Sequence, residues 1–456
     1  MQNTVLNYLD EKNYKAILDT FLEMNDIDIA ELFQTLYDDE LIERDRFILL
    51  FRLLPKDAAA DVFSYMDSDM QMLLVTSFTD KELQNVINDL YIDDTVDMIE
   101  EMPANLVARI IASADSVTRK EINTILRYPK DSAGSLMTTE YVALRRDYTV
   151  ARAISLIRET GMNKETVYTL YVTQNRKIIG VLSVLDLLTA DDDELIENIM
   201  DTNVISVDTH EDKEIVADTL SKYDFAAIPV VDKDMRMIGI VTFDDAIDVI
   251  TEETTEDFEK MAAVGHSDES YFKTSVFTHA KNRILWLMVL MLSATVTGAI
   301  ISRYDAAFAA VPLLVSFIPM ITGTGGNCGS QTSTMVIRGM SLGEIKLKDF
   351  FKVMFKELRI ALLCGSALSV VNAIRLIITY NNDPSVDAYK LALTVSLAIM
   401  ATVIMSKAIA CMLPMLAKRV KLDPAIMASP LITTIVDICS TMLFFSLATR
   451  IFNITV

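Results

Sequence analysis

The sequence predicts a multi-domain chain in four stretches: an α-helical N-terminal superhelical domain, a tandem α+β pair, an acidic connecting helix and a five-span α-helical membrane domain. Three observations predict it. The 456 residues hold 41 Lys+Arg against 64 Asp+Glu, a net charge of −23, yet 51% are hydrophobic and the mean hydropathy is +0.31. Counted on either side of Tyr271, residues 1–271 carry 24 bases and 56 acids (−32), while 272–456 carry the other 17 and 8 (+9). Two internal repeats divide the acidic part, and long apolar runs fill the rest. The boundaries expected are 1–132, 133–190, 191–250, 251–282 and 283–456. An acidic first half argues against nucleic-acid partners, which require basic stripes, and favours cations.

Residues 1–132 space their apolar residues by three and four, as helices do. Leu54-Pro55-Lys56-Asp57, Phe78-Thr79-Asp80-Lys81 and Met102-Pro103-Ala104-Asn105 recur every 24 residues, each with a helix-start signal. That period fits either stacked helical hairpins or unrelated helices sharing start signals. No catalytic constellation stands out in this stretch.

Residues 133–250 repeat at about 60 residues by the strand-and-turn pattern. Lys177 to Asp186 follows the run Val167 to Val172, and Met235 to Asp245 follows Ala227 to Val231. Gly180 aligns with Gly239, Ser183 with Thr242 and Asp186 with Asp245. The pattern resembles a tandem pair of CBS domains, modules that hold ATP or another adenine nucleotide at the hydroxyl-and-Asp corner. Ser183, Asp186, Thr242 and Asp245 are thus nucleotide candidates, with simple helix capping as the other reading.

The stretch from Asp244 to Lys260 is dense in acids, with one base at its end. At helical spacing Asp245, Asp248, Glu252, Glu256 and Glu259 share a face, and like charges one turn apart repel. Either solvent dissipates that charge or a hard divalent cation such as Mg2+ sits against it.

Five apolar runs, 284–302, 306–337, 360–380, 388–416 and 425–452, are long enough to cross a bilayer. Lys281 and Arg283 precede the first; Arg338, Lys346, Lys348, Lys352, Lys356 and Arg359 fill the break after the second, and Lys418, Arg419 and Lys421 that after the fourth. The positive-inside rule then puts the N-terminal half in the cytoplasm and the C-terminus outside a cell (inner or plasma) membrane, surrounded by lipid. No basic n-region opens the chain, in keeping with a cytoplasmic N-terminus. The cysteines Cys328, Cys364, Cys411 and Cys439 are spaced too widely for redox or metal motifs.

An acid inside a span is a functional-site hypothesis. Asp437 is the one well inside, with Thr433 a turn earlier; Arg375 or Lys407 offers it an ion pair instead. The second run ends in Gly323-Thr324-Gly325-Gly326-Asn327-Cys328-Gly329-Ser330-Gln331. Its glycines allow either close helix packing or exposed carbonyls, and Asn327, Ser330 and Gln331 supply neutral oxygens.

The stretch GTGGNCGSQ, the PLITTIVD of the last span, the CBS-like pair and the helical N-terminal domain together resemble the MgtE-type magnesium channels. The resemblance spans essentially the whole chain. It implies a homodimer whose pore is lined by the second and fifth spans, with Asp437, Thr433, Asn327, Ser330, Gln331, Gly325 and Gly326 as pore residues. It further implies a plug helix and Mg2+-sensing ligands at Glu214, Asp224, Asp245, Asp248, Glu253, Glu256, Asp257 and Asp423. N-terminal sensing partners are drawn from Asp57 or the group Asp93, Asp94 and Asp97. Ser330 and Ser429 stand where the family commonly has Asn, which bears on ion selectivity. The function expected is Mg2+ influx closed by cytosolic Mg2+, with two alternatives: a transporter preferring Co2+ or another ion, and a membrane-anchored nucleotide sensor that transports nothing. An enzyme is not expected: there is no phosphate-binding glycine loop, and His210, His266 and His279 are scattered.

Overall fold

The structure, a computed structural model, describes residues 1–265, 267, 271–304, 309, 311–382, 387–427 and 429–454. The side chains of Asp57 and Ser429, His266, and parts of the breaks after the first and third spans lie outside the described residues. Two compact units result, Met1–Thr251 and Glu252–Val456.

In the first unit, ten short helices run from Gln2–Asp10 to Ser116–Ile125. The 24-residue spacing marks hairpins: helices Lys56–Ser64, Asp80–Asp89 and Ala104–Ser113 each start at a repeat and are each followed by a partner helix. Thr79 and Glu82 close a capping box at the second start, while Pro55 and Pro103 sit at the caps of the others. Equivalent helices stack, Lys56–Ser64 on Asp80–Asp89 and that one on Ala104–Ser113. Edge-to-face pairs Phe21–Phe33, Phe33–Phe47 and Phe51–Phe63 run through the interior. The stacked-hairpin reading therefore holds over unrelated helices.

Two three-stranded sheets with the same topology follow. β1 (Ala143–Leu144) pairs parallel to β2 (Thr169–Gln174), which pairs antiparallel to β3 (Lys177–Ser183). In the second sheet β4 (Val207–Asp208), β5 (Ala227–Val231) and β6 (Met237–Thr242) repeat the order. The repeat's glycines have a steric cause. Asp201 of the linker bridges to Val181, beside Gly180, and Thr138 bridges to Ile240, beside Gly239. A Cβ on Gly180 would lie 2.6 Å from Met200 Sδ, and one on Gly239 would lie 2.5 Å from the Thr138 carbonyl. Each sheet thus accepts a linker segment only because its third strand lacks a side chain there.

In the second unit, four helical stretches are long and apolar enough to cross a membrane by length and composition: Val276–Ser302, Leu347–Tyr380, Ala388–Arg419 and Pro424–Ile451. The run predicted over 306–337 differs. It resolves into a 3-10 turn, Pro312–Phe317, and a 24-residue helix, Ile318–Ser341, whose Gly, Ser, Thr, Asn and Gln content keeps it off that count. We number these helices first to fifth in chain order, Ile318–Ser341 being the second. The third begins at Phe350, ten residues earlier than its apolar run, because Lys352, Lys356 and Arg359 continue the helix. That extension brings Glu357 into the helix.

Candidate functional site

The second membrane helix packs against the fourth and fifth through its glycines. A Cβ on Gly325 would come within 2.7 Å of both Thr402 and Val436, and one on Gly329 within 2.8 Å of Ile432 and Ser406. Gly326 faces the Thr433 methyl at 3.0 Å by the same construction. The close-packing reading of these residues is realised, and the Gly325 carbonyl is taken by the Ser406 hydroxyl. Asn327 and Gln331, four residues apart, lie together on an exposed face with Thr334, while Ser330 is half-buried.

Asp437 lies on the fifth helix, one turn beyond Thr433. Both line a cavity of about 480 Å³ with Thr434, and its opposite wall is the first helix, through Ala294, Thr297 and Gly298. The residues lining this cavity come from the first and fifth helices. The ion-pair alternative fails among the described residues. Lys407 pairs with Glu357 at 3.4 Å, and Arg375 donates to Asn372 Oδ1 at 2.9 Å. No ion pair or side-chain hydrogen bond reaches the Asp437 carboxylate among those residues. A half-exposed carboxylate facing a cavity with threonine hydroxyls suits a cation that keeps its water shell.

In the first unit, carboxylates distant in sequence converge. Asp93, only 7% exposed, and Asp94 come from helix Ile92–Glu101, Asp245 and Asp244 from helix Phe243–Met261, and Glu140 and Glu165 from the loops around β1 and β2. Burial, followed by the charges of Asp245, Glu165 and Asp94, drives the Asp93 carboxyl well above its ordinary range. Burial, with Asp245 and Asp244 next, pushes Glu165 up to about 8. Burial with Asp61 takes Asp94 to about 6, and burial with Asp244 takes Asp245 to about 6 against the lowering hydrogen bond from Thr242. Among the described residues, one oxygen each of Glu140 and Glu165 is buried without a hydrogen-bond partner. Such orphaned oxygens fit a hydrated cation. Among the described residues no group of three His, Cys, Asp or Glu side chains is arranged to hold a bare metal ion.

The remaining sensing candidates are dispersed or already engaged. Glu214 is exposed in the first turn of helix Lys213–Tyr223, and Asp224 caps its end in the left-handed conformation. Asp248 is exposed and Glu253 half-buried along helix Phe243–Met261. In the second unit Glu256 and Asp423 meet on the Lys260 ammonium, each at 2.8 Å.

At the two hydroxyl-and-Asp corners the capping reading is realised. Ser183 donates from N–H and Oγ to Asp186 Oδ2, both at 2.7 Å, and accepts from the Asp186 N–H at 3.2 Å. Thr242 donates from Oγ1 to Asp245 Oδ2. The Ser183 corner is open, whereas the Thr242 corner is part of the acidic convergence. Glu140, Glu165, Glu357 and Thr297 were missed by the sequence reading. A helical period extended back from residue 360 to Phe350 would have found Glu357; the others carry no local signal.

Comparison with known proteins agrees with this architecture. The family described as divalent cation transporter matches residues 318–447, the MgtE intracellular N domain matches 24–131, and CBS domains match 133–193 and 196–252. The chain is 33% identical over 446 residues to the magnesium transporter MgtE of Thermus thermophilus, covering 96% of each. It is 33% identical over 439 residues to that of Bacillus subtilis, covering 96% of this chain and 94% of the relative. A solved structure of the cytosolic domain of the Mg2+ channel MgtE in complex with ATP matches 55% of this chain and 100% of its own, at 32% identity and a TM-score of 0.51. On identity across nearly its full length, and on the order of its domains, the chain belongs to the MgtE family.

Proposed function

We propose that this protein carries Mg2+ into the cell across the inner or plasma membrane, and that cytosolic Mg2+ bound at its acidic surfaces closes the path. The observation that carries the reading is Asp437: a carboxylate within an apolar helix, unpaired among the described residues, facing a cavity beside Thr433. A charge so placed is costly unless it serves an ion or a proton, and the relatives of this chain are magnesium transporters. Mg2+ gives up water reluctantly, so one carboxylate from each of two copies, with threonine hydroxyls, suits a hydrated ion.

The second helix supports a homodimer. Its exposed Asn327, Gln331 and Thr334 cannot face lipid and need water or a second copy. Counted with the four longer apolar helices this helix makes five spans, and the basic breaks then keep residues 1–282 cytoplasmic and the C-terminus outside. Gating follows from differential binding: Mg2+ at the Asp93–Asp245–Glu165 surface and near Glu253, Glu256, Asp257 and Asp423 favours whichever state brings those acids together. An adenine nucleotide at the Ser183–Asp186 or Thr242–Asp245 corner is the reading for ATP, and a relative's cytosolic domain was solved in complex with ATP.

The test is flux into liposomes holding the purified chain. Asp437→Ala abolishes Mg2+ uptake; unimpaired uptake would sink the pore assignment. Competition with Co2+ in the same assay decides the preferred ion.

A further inference from the structure

We propose that Glu357 and Lys407 form a positioning pair that fixes the second membrane helix, through Thr332, in the register the ion path requires; this rests on the transport reading above. The pair is buried, with the side chains 7% (Lys407) and 13% (Glu357) exposed. Three helices meet at it: Thr332 on the second, Glu357 on the third and Lys407 on the fourth. Lys407 Nζ donates to Thr332 Oγ1 at 2.9 Å, and Thr332 Oγ1 donates to Glu357 Oε2 at 3.0 Å. The ammonium lies 3.4 Å from the same carboxylate oxygen, which closes a three-membered polar ring. Next to Lys407, Ser406 donates its hydroxyl to the Gly325 carbonyl.

Consecutive residues of the fourth helix therefore grip the second helix at Gly325 and at Thr332, about two turns apart. Between those grips lie Asn327, Ser330 and Gln331, the oxygen-bearing side chains of the second helix. Thr402, Val436 and Ile432 fill the notches at Gly325 and Gly329 and set how closely the helices approach, while the two polar anchors add the directional contacts that fix the rotation. Buried ion pairs are poor sources of stability, and well-packed apolar residues often do as well or better. Directional contacts to Thr332 do what apolar packing cannot: they distinguish one rotation of this helix from the next.

The test uses Thr332→Val, which is isosteric, leaves the Glu357–Lys407 pair in place and breaks only its link to the second helix. Two readouts are taken on the full-length chain in liposomes: Mg2+ flux together with the Co2+ to Mg2+ uptake ratio, and maleimide labelling of Cys328 located by peptide mass. Cys328 lies one turn before Thr332 and is 9% exposed. Thr332→Val is expected to lower Mg2+ flux, change the uptake ratio and label Cys328 about tenfold faster than the parent, the signature of local opening; Thr332→Ser is expected to restore all three. Parental flux and parental Cys328 protection in Thr332→Val would overturn the proposal. Lys407→Met is the stronger lesion, and the neutral variant keeps the question answerable if it fails to fold. A parent chain that passes no Mg2+ would defeat the transport reading, while Cys328 protection would still decide the positioning role.

Discussion

The Lys260 ammonium lies 2.8 Å from an Asp423 carboxylate oxygen, so the chain supplies its own cation between the acidic connecting helix and the segment leading into the last membrane helix. Burial opposes the lysine's charge, yet the hydrogen bonds to Asp423 and Glu256 outweigh it and raise its pKa. Beside it, burial and then the Asp423 charge push the Asp257 carboxyl up. Removing the lysine leaves three neighbouring carboxylates, Glu256, Asp257 and Asp423, that an external cation can neutralise.

Lys260→Met should therefore make closure more dependent on Mg2+. The two ion pairs are about one-third exposed, so together they contribute about 1 kcal/mol, or about fivefold in an equilibrium. Flux at low internal Mg2+ is expected to rise by that order, with closure regained at high Mg2+. Flux identical to the parent across an internal Mg2+ titration would show that the lysine plays no part in gating.

The acidic convergence in the first unit makes stability depend on pH in a defined direction. Glu165 at about 8, and Asp94 and Asp245 at about 6, all lie above ordinary carboxyl values. The folded state then binds more protons than the unfolded state between those ordinary values and about 8, so stability is greatest at low pH within that window and falls as pH rises through it. The corresponding soluble parts of relatives at 30% and 32% identity were solved on their own, so the measurement is made on residues 1–251 and repeated on the full chain. In chelator the melting temperature should be about 5 °C higher at pH 5.5 than at pH 8.5, and Mg2+ should shrink the difference by neutralising the same charges. A flat or rising profile in chelator would contradict the burial of these groups.

What the sequence revealed was mostly local or periodic. The pairing of Gly180 with Gly239 was readable because both copies need a bare backbone at the same step, and the 24-residue spacing because each hairpin restarts with a cap. The convergence of Asp93 with Glu165 and Asp245 was not readable, since those residues are 72 and 152 positions away and carry no shared motif. Glu357 was hidden for a different reason. Grouped with Lys352, Lys356 and Arg359 it reads as a loop charge, and only the helix running unbroken from Phe350 buries it against Lys407. Thr297 could not be found from composition at all, because a lone threonine in an apolar helix carries no sign of what faces it.

Glycines that look alike in the second helix should respond differently to the same change. Gly325→Ala places a methyl 2.7 Å from Thr402 and Val436, whereas Gly323→Ala meets nothing within 4 Å. Overpacking of this kind costs about 1–3 kcal/mol, so Gly325→Ala is expected to lower both the melting temperature in detergent and Mg2+ uptake. Gly323→Ala should preserve the melting temperature. Equal behaviour of the two would mean that the second helix does not approach the fourth and fifth as closely as described.

The cavity at Asp437 has the first helix as its second wall, and Thr297 is the hydroxyl on that wall. If hydrated Mg2+ rests against Asp437, water in its shell needs acceptors on the opposite side, and a hydroxyl there exchanges hydrogen bonds where a methyl would not. Replacing one such contact costs about 0.5–1.5 kcal/mol, so Thr297→Val should reduce Mg2+ uptake several-fold while Thr297→Ser holds it near the parent value. The effect should grow with the hydration demand of the ion, leaving a more readily dehydrated divalent cation less affected than Mg2+. Uptake by Thr297→Val that equals the parent for both ions would remove the first helix from the path.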